Sequence, residues 1–388
     1  MSNRVGIAGT GLIARQVARC VSMARTGLEL TRVLTRRPLD SVEGMDSALL
    51  TNDLDDLLER CDIVFECTGD AIHGTEVVDR ALSAGRRVVT MNSELHVTTG
   101  SAFVGRGYFT ESAGDQPGCF AELRAEAEEM GFDVRAFVNI KGFLNLDPPE
   151  SDMRYWSEKQ ELALEQTVSF TDGTKIQIEQ AFVANGLGAD LLQEGLVGGD
   201  VVDIADTDYL GDAAVERGRP VSDYVVCPSA PPGVLVLASH EVGDALVGYR
   251  AYSRIKTRAG KYFVLVRPFH LCALEVVKSL HAAQQGRPIL LDNGKTPRYG
   301  VAAVAKRAVA AGQPVSHALG SFEFRGTAVS IAERPDHVPI CLIRNARFVR
   351  EVAPGQMVTF GDVELPESKA LDFYRAIRQR VLRAAAAA

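Results

Sequence analysis

The sequence is poor in several things that would have narrowed its function at once. One tryptophan, Trp156, and 7% aromatics leave no stacking platform to read. The seven cysteines at 20, 61, 67, 119, 227, 272 and 341 are odd in number and scattered, with no Cys-x-x-Cys. That pattern excludes a disulfide scaffold and a structural zinc site, and reads as small buried hydrophobes in a reducing compartment. No His-x-x-x-His spacing suggests a catalytic metal, and no Gly-x-Ser-x-Gly elbow supports a hydrolase. Positive charge is not in excess: 42 Lys+Arg against 50 Asp+Glu give a net charge of −8, without the basic stripe a nucleic-acid binder needs. No uncharged apolar run reaches the ~18 residues of a membrane span. The chain passes from Met1-Ser2-Asn3-Arg4 straight into an apolar strand with no leader-like segment, so a cytoplasmic location is expected.

What is present describes an ordered globular chain. With 46% hydrophobic and 24% charged residues in 388, it can bury a large core spread over two or three domains. Val5-Gly6-Ile7-Ala8 is a short apolar run of the buried parallel-strand type. It leads into Gly9-Thr10-Gly11-Leu12-Ile13-Ala14, after which Ile13, Val17, Val21 and Ala24 recur at helical spacing. Strand, glycine turn and helix thus follow in the order of a dinucleotide site. Gly9 permits the tight turn, Gly11 admits a pyrophosphate to the backbone, and Ala14 lets helix and strand pack closely. The first helical residues, Leu12 and Ile13, belong to the same cradle.

The next strand, Leu28 to Leu34, ends in Thr35-Arg36-Arg37 rather than in the acid that would accept hydrogen bonds from a ribose 2′-hydroxyl. A hydroxyl and two guanidiniums match a 2′-phosphate, so NADP is expected, with NAD the alternative. A further apolar strand, Ile63 to Glu66, ends in Cys67-Thr68-Gly69; a helix from Gly74 to Ala84 and a strand into Asn92-Ser93-Glu94 follow. Alternating strands and helices of this length make a doubly wound parallel sheet, an α/β Rossmann fold, with ligands beyond the carboxyl ends of its strands. Thr68, Gly69, Asn92 and Glu94 are therefore placed beside the cofactor.

The spacing predicts one more strand–helix–strand unit, ending in Asn139-Ile140-Lys141-Gly142-Phe143 at the ligand face. Lys141, among apolar neighbours, is a candidate to hydrogen-bond a substrate oxygen. Asp147-Pro148-Pro149 then breaks the chain. Residues 167–178 alternate in a strand-like way on both sides of Asp172-Gly173. Two readings stand: a tight hairpin, or an acid and a base, Asp172 and Lys175, projected into one site. A helix from Glu179 to Leu187 would follow. His270, where a strong strand meets Pro268 and a helix, could reach the substrate with Glu275 one turn on. From about Thr296 two strand-plus-turn phrases suggest a small β domain, and an amphipathic helix closes the chain.

Together, Gly9-x-Gly11-x-x-Ala14, Thr68-Gly69 and Met91-Asn92-Ser93-Glu94 resemble the homoserine dehydrogenase-like superfamily. Asn139 to Phe143 and Asp172-Gly173-Thr174-Lys175 look like its branch of deoxyxylulose-phosphate reductoisomerase-like proteins and sugar-acid oxidoisomerases. Residues 296–365, with Lys306-Arg307 and Ala311-Gly312-Gln313, are similar to the SAF (β-clip) domain that branch often carries. The resemblance implies a nucleotide domain over 1–147, an α+β catalytic and dimerisation domain over 148–295, a β-clip over 296–366 and a closing helix over 367–388. It implies an NADP-dependent oxidoreductase or oxidoisomerase acting on a secondary alcohol of a small sugar-like or polyhydroxy-acid substrate, as a homo-oligomer and without a metal. The lysine role falls on Lys141 and Lys175, with Asp172 as partner. Ser93-Glu94 stand where homoserine dehydrogenases carry a lysine, which points away from homoserine. Homoserine-type amino-alcohol oxidation and a non-catalytic NADP-binding protein are the alternatives.

Overall fold

The structure, a computed structural model, describes residues 3–242 and 256–387. Its first layer alternates strands and helices: β1 (Arg4–Ala8), α1 (Leu12–Val21), β2 (Glu29–Leu34), β3 (Leu50–Thr51), α2 (Leu54–Arg60), β4 (Ile63–Glu66), α3 (Ala71–Ser83), β5 (Arg87–Thr90), α4 (Ser93–Thr98) and β6 (Phe109–Glu111). The strands form one parallel sheet in the order β3-β2-β1-β4-β5-β6. Helices cover both faces, which is why Ile63-Val64-Phe65 is a continuous buried run and not an alternating one. The order reverses between β1 and β4, and there the glycine turn after β1 opens the ligand crevice. Helix α3 starts at Ala71, three residues before the apolar spacing suggests. The Asp70 side chain accepts from the Ile72 and His73 N–H groups at 3.0 and 3.1 Å and so begins the helix early.

The second layer runs α5 (Gln116–Glu129), β7 (Asp133–Lys141), α6 (Glu150–Gln160), α7 (Leu164–Thr171), α8 (Thr174–Leu187), α9 (Asp208–Arg217), β8 (Val221–Val226), β9 (Gly233–Ser239), β10 (Phe263–Arg267) and α10 (Cys272–Gln285). Its strands pair in the order β10-β9-β7-β8, with β7 and β8 parallel and the other pairs antiparallel. The hairpin reading of Asp172-Gly173 is overturned. Asp172 ends α7 and donates its N–H to the Val168 carbonyl at 2.8 Å, and Gly173, at φ +81°, turns the chain directly into α8. The alternation misled because α8 is buried nearly all round: Thr174, Gln177, Glu179 and Gln180 are as enclosed as Ile176 and Ile178. A helix without a polar face loses its 3.6-residue signature.

The chain closes with β11 (Tyr299–Ala305), β12 (Pro314–His317), β13 (Phe324–Ser330), β14 (Arg344–Phe348), β15 (Val363–Glu364) and α11 (Lys369–Ala386). These strands form small antiparallel sheets, β11-β13 and β12-β14-β15. They do not stand apart. One apolar cluster runs from Val77, Leu95 and Phe103 through Ile178 and Ala181 to Val301, Phe324 and Phe348. Helix α8 joins the layers by polar bonds too, Thr174 Oγ1 accepting from the Gly326 N–H at 2.8 Å and Gln177 Oε1 from the Ala328 N–H at 2.9 Å. In the other direction α10 packs on α1 and shares a core with Val17, Val21 and Phe65 of the nucleotide layer. Among the described residues no helix is long and apolar enough to cross a membrane.

Candidate functional site

The cofactor end is built on the turn after β1. Gly9 holds φ +129°, and a Cβ there would stand 2.8 Å from the Cys67 carbonyl oxygen, so only glycine fits. Gly11 precedes α1 without any side chain capping the helix, and a Cβ on it would meet nothing within 4 Å. The first N–H groups of α1, with no side chain capping them, and the open space above Gly11 are features that could hold a pyrophosphate. Thr10 Oγ1 lies 3.1 Å from Thr35 Oγ1, tying the glycine turn to the end of β2, and Thr35 Oγ1 accepts from the Arg37 N–H at 3.1 Å. Arg36, next in line, reaches across the end of β1 to Asp70 after β4, with Nη2 to Oδ2 at 2.9 Å. The two expected arginines therefore part company: both are exposed, but Arg36 lines a cleft with Asp70 and Arg37 does not.

Thr68, Gly69 and Asn92 form the next section. Gly69, at φ +65°, turns the chain after β4. Thr68 donates to Glu66 from both its N–H and its hydroxyl, at 2.9 and 2.6 Å, and Asn92 Nδ2 donates to the same oxygen at 3.1 Å. Thr90 Oγ1 donates to the other Glu66 oxygen at 2.6 Å. Burial pushes the Glu66 carboxyl above its ordinary pKa, against those donors. The buried acid thus ties β4 to β5, and Thr68 and Asn92 owe their positions to it.

Beyond Asn92 lies the chemical end. Lys175, in the first turn of α8, donates to Ser93 Oγ at 2.6 Å and to both Glu94 oxygens at 3.1 Å. Burial alone would lower its pKa; Glu94, then Asp115 and Glu179, outweigh burial and raise it, so Lys175 stays an ammonium. One turn on, Glu179 accepts from Asn139 Nδ2 at 3.0 Å and has Lys141 Nζ 3.8 Å away. Burial lifts the Glu179 carboxyl from 4.5 to about 7, with Lys141 pulling the other way and Asp115 adding to the rise. Gln116, with its amide nitrogen turned inward, donates to Glu179 at 3.3 Å and to Asp115 at 2.7 Å. Two lysines and three carboxylates therefore meet at the strand ends, one carboxyl poised near neutrality. Among the described residues no three His, Cys, Asp or Glu side chains come together as metal ligands.

Two expected pairings are not made. Asp172 accepts from the Thr174 N–H at 2.9 Å and is paired with Lys306 at 3.0 Å, both side chains almost wholly buried. It clamps the α7–α8 turn to the start of the C-terminal strands and is not the partner of Lys175. Glu275 is held by Arg267 and accepts from the Leu271 N–H at 2.7 Å, so it does not serve His270. His270 lies instead toward Asp115 and Lys141, with Nδ1 3.7 Å from Cys272 Sγ, and burial, the largest influence, keeps it neutral at pH 7. Behind Lys175, His96 Nε2 stands 3.2 Å from Glu111 and its ring stacks on Phe182 at 4.2 Å. Burial drives His96 down to about 3 and Glu111 well up, leaving an uncharged pair.

Glu179, Asn139, Asp115 and Gln116 escaped the sequence reading. The signal for Glu179 is the spacing Lys175…Glu179: four residues apart, they share one helix face once Asp172-Gly173 is read as the junction of two helices. Asn139, two residues before Lys141 on β7, projects to the same side of the strand.

Comparison with known families agrees with this geometry. Residues 114–276 match the family model for the catalytic domain of oxidoreductase DRL, and residues 9–103 match the NAD-binding domain of homoserine dehydrogenase. The chain thus carries a DRL-type catalytic domain behind an NAD-binding domain of the homoserine dehydrogenase type. It is an NAD(P)-dependent oxidoreductase for a small-molecule substrate. Lys141, Lys175, Glu179 and His270 of this DRL-type enzyme all fall within the matched catalytic domain, and neither match extends beyond residue 276. Among curated proteins none matches. Among solved structures it is similar to UDP-N-acetylglucosamine 3-dehydrogenase GnnA from Acidithiobacillus ferrooxidans, with 15% identity, 75% of this chain and 91% of that one covered, and a TM-score of 0.43. A hyperthermophilic archaeal homoserine dehydrogenase in complex with NADPH has 14% identity, covers 75% and 100%, and scores 0.45. Biliverdin reductase from Synechocystis sp. PCC 6803 has 13% identity, covers 75% and 93%, and scores 0.42.

Proposed function

We propose that this DRL-type enzyme is an NADP-dependent oxidoreductase or oxidoisomerase acting on a secondary alcohol of a sugar-like or polyhydroxy acid. The observation that carries the reading is that one helix face presents both an ammonium locked by Glu94, Lys175, and a carboxyl near neutrality, Glu179. When bound, the nicotinamide supplies a hydride acceptor or donor at C4. Gly9, Thr10, Gly11, Leu12 and Ile13 would hold its pyrophosphate, Thr35 and Arg36 the adenosine ribose, and Thr68, Gly69 and Asn92 the nicotinamide half.

The remaining chemistry belongs to the protein. Lys175 cannot act as a base because it keeps its proton; it presents a fixed positive charge to the oxygen that gains negative charge as a carbinol becomes a carbonyl. Lys141, at the end of β7 and partly exposed, hydrogen-bonds that oxygen. Glu179, 3.8 Å from Lys141, takes the proton relayed through it and returns it in the reverse direction. Asp115 and His270 line the rest of the site and suit substrate hydroxyls, the carboxylate accepting and the neutral imidazole doing either. For an oxidoisomerase the same acid–base pair serves an α-ketol shift between two hydride transfers, with no net change in NADP. Residues 296–366 would act as the SAF-like segment that closes this site.

The test is a panel of polyhydroxy acids, with homoserine included, followed both by NADPH absorbance and by product isomer. Lys175→Met is expected to lower kcat by 100-fold or more with NADP affinity unchanged. Turnover unchanged in both Lys141→Ala and Lys175→Ala would overturn the reading, and brisk NADPH formation from homoserine would replace the substrate class.

A further inference from the structure

A cleft opens one residue past Thr35, the residue tied to the glycine turn through Thr10. It is lined by Arg36 beyond the end of β2, by Asp70 and His73 from the start of α3, and by Arg344 from the first residue of β14. Arg344 lies more than three hundred residues along the chain from Arg36, yet the two guanidiniums meet on one carboxylate. Asp70 Oδ2 is 2.9 Å from Arg36 Nη2 and 3.7 Å from Arg344 Nη1, and Asp70 itself is only 9% exposed. Its other oxygen is committed to capping α3. Asn345, immediately after Arg344, holds φ +49°. That left-handed residue interrupts the strand's alternation: Arg344 and Asn345 are both exposed before Ala346 turns inward. About half of each arginine side chain remains accessible.

We propose that Arg344 is the second guanidinium of an adenosine 2′-phosphate site, held beside Arg36 by their shared carboxylate Asp70, in the place the sequence suggests for Arg37. The inference rests on the NADP reading above and names the residue that enforces it. Two forks held a few ångströms apart by one anion offer a net positive charge and several unshared N–H donors, which suits a dianionic phosphate and gives a bare 2′-hydroxyl little. Lys369, at the same cleft, is already bonded to Asp79 at 2.6 Å and Glu76 at 3.2 Å, and His73 is kept neutral by burial and by Arg36. That leaves the two arginines as the cations able to turn to a ligand.

The test measures dissociation constants of NADP and NAD by calorimetry for the wild-type protein, Arg36→Gln, Arg344→Gln, Arg344→Lys and Arg37→Gln, with melting temperatures recorded alongside. Arg344→Gln and Arg36→Gln are each expected to weaken NADP roughly tenfold to hundredfold while leaving NAD within about twofold. Arg344→Lys should recover part of the loss, and Arg37→Gln should change NADP by less than about threefold. A wild-type protein binding NAD as tightly as NADP would refute the NADP reading itself and this inference with it. A wild type that prefers NADP, with Arg344→Gln leaving the preference intact or weakening both cofactors equally, would sink the role of Arg344 alone.

Discussion

Replacing Glu179 by Gln makes a prediction that needs no substrate. Burial raises this carboxyl from 4.5 to about 7, so the folded state binds its proton more tightly than the unfolded chain does. The stability due to that proton is complete below pH 4.5 and is lost as pH rises to about 7. Two and a half pH units correspond to roughly 3 kcal/mol, of which about three-quarters is lost between pH 5 and pH 8. Gln cannot titrate, so the variant escapes this loss. Any fixed cost of the change, such as altered packing around the amide, is common to both pH values and cancels in the difference, and the pull of Lys141 on the carboxylate at 3.8 Å already counts in where Glu179 titrates. Urea denaturation of wild type and Glu179→Gln at pH 5 and pH 8 gives that difference directly. The variant should gain roughly 2–3 kcal/mol on the wild type over the interval, while turnover falls. The other buried acids, among them Glu66, Glu111 and Asp172, titrate in both proteins and cancel as well. A gain below about 1 kcal/mol, or one of opposite sign, would mean that Glu179 is ionised across this range and is not the proton carrier.

Gly9→Ala and Gly11→Ala should separate folding from binding. The first drives a Cβ against the Cys67 carbonyl at positive φ and should lower the melting temperature markedly. The second meets nothing in the folded protein and should leave the melting temperature unchanged while weakening nucleotide binding tenfold or more by calorimetry. Asp172→Asn strands the buried Lys306 and should cost roughly 3–5 kcal/mol in denaturation experiments, with NADP affinity of the folded fraction unaltered.

The nucleotide layer was legible because its signals are local. A glycine turn, buried β-branched strands and helices at regular spacing declare themselves within about thirty residues, and the order β3-β2-β1-β4-β5-β6 follows. The chemical end was legible only as a neighbourhood. Lys141 stood out as a lysine among apolar residues and Lys175 through its spacing from Asp172; the first ends β7 and the second lies in the first turn of α8. Their partners are set by side chains that only the folded chain brings together, Glu94 to Lys175 over 81 positions and Asn139 to Glu179 over 40. Asp172 looked like an acid for Lys175 because three positions separate them; the helix junction sends the two in different directions. Arg344 was illegible for the same reason, since nothing near it in sequence hints at a ligand.

Helix α8 carries Lys175 and Glu179 on one side and is bonded to β13 through Thr174 and Gln177 on the other. The reacting groups are therefore mounted on a beam whose far support is the C-terminal strand segment. Trimming that segment would not leave a smaller working enzyme behind; it would let the beam swing and detune the proton carrier. Mutations that alter turnover should thus turn up along β13, in residues that never approach the substrate, and the spacing between Lys175 and its acids is set in part from a sheet the chain completes only after residue 324.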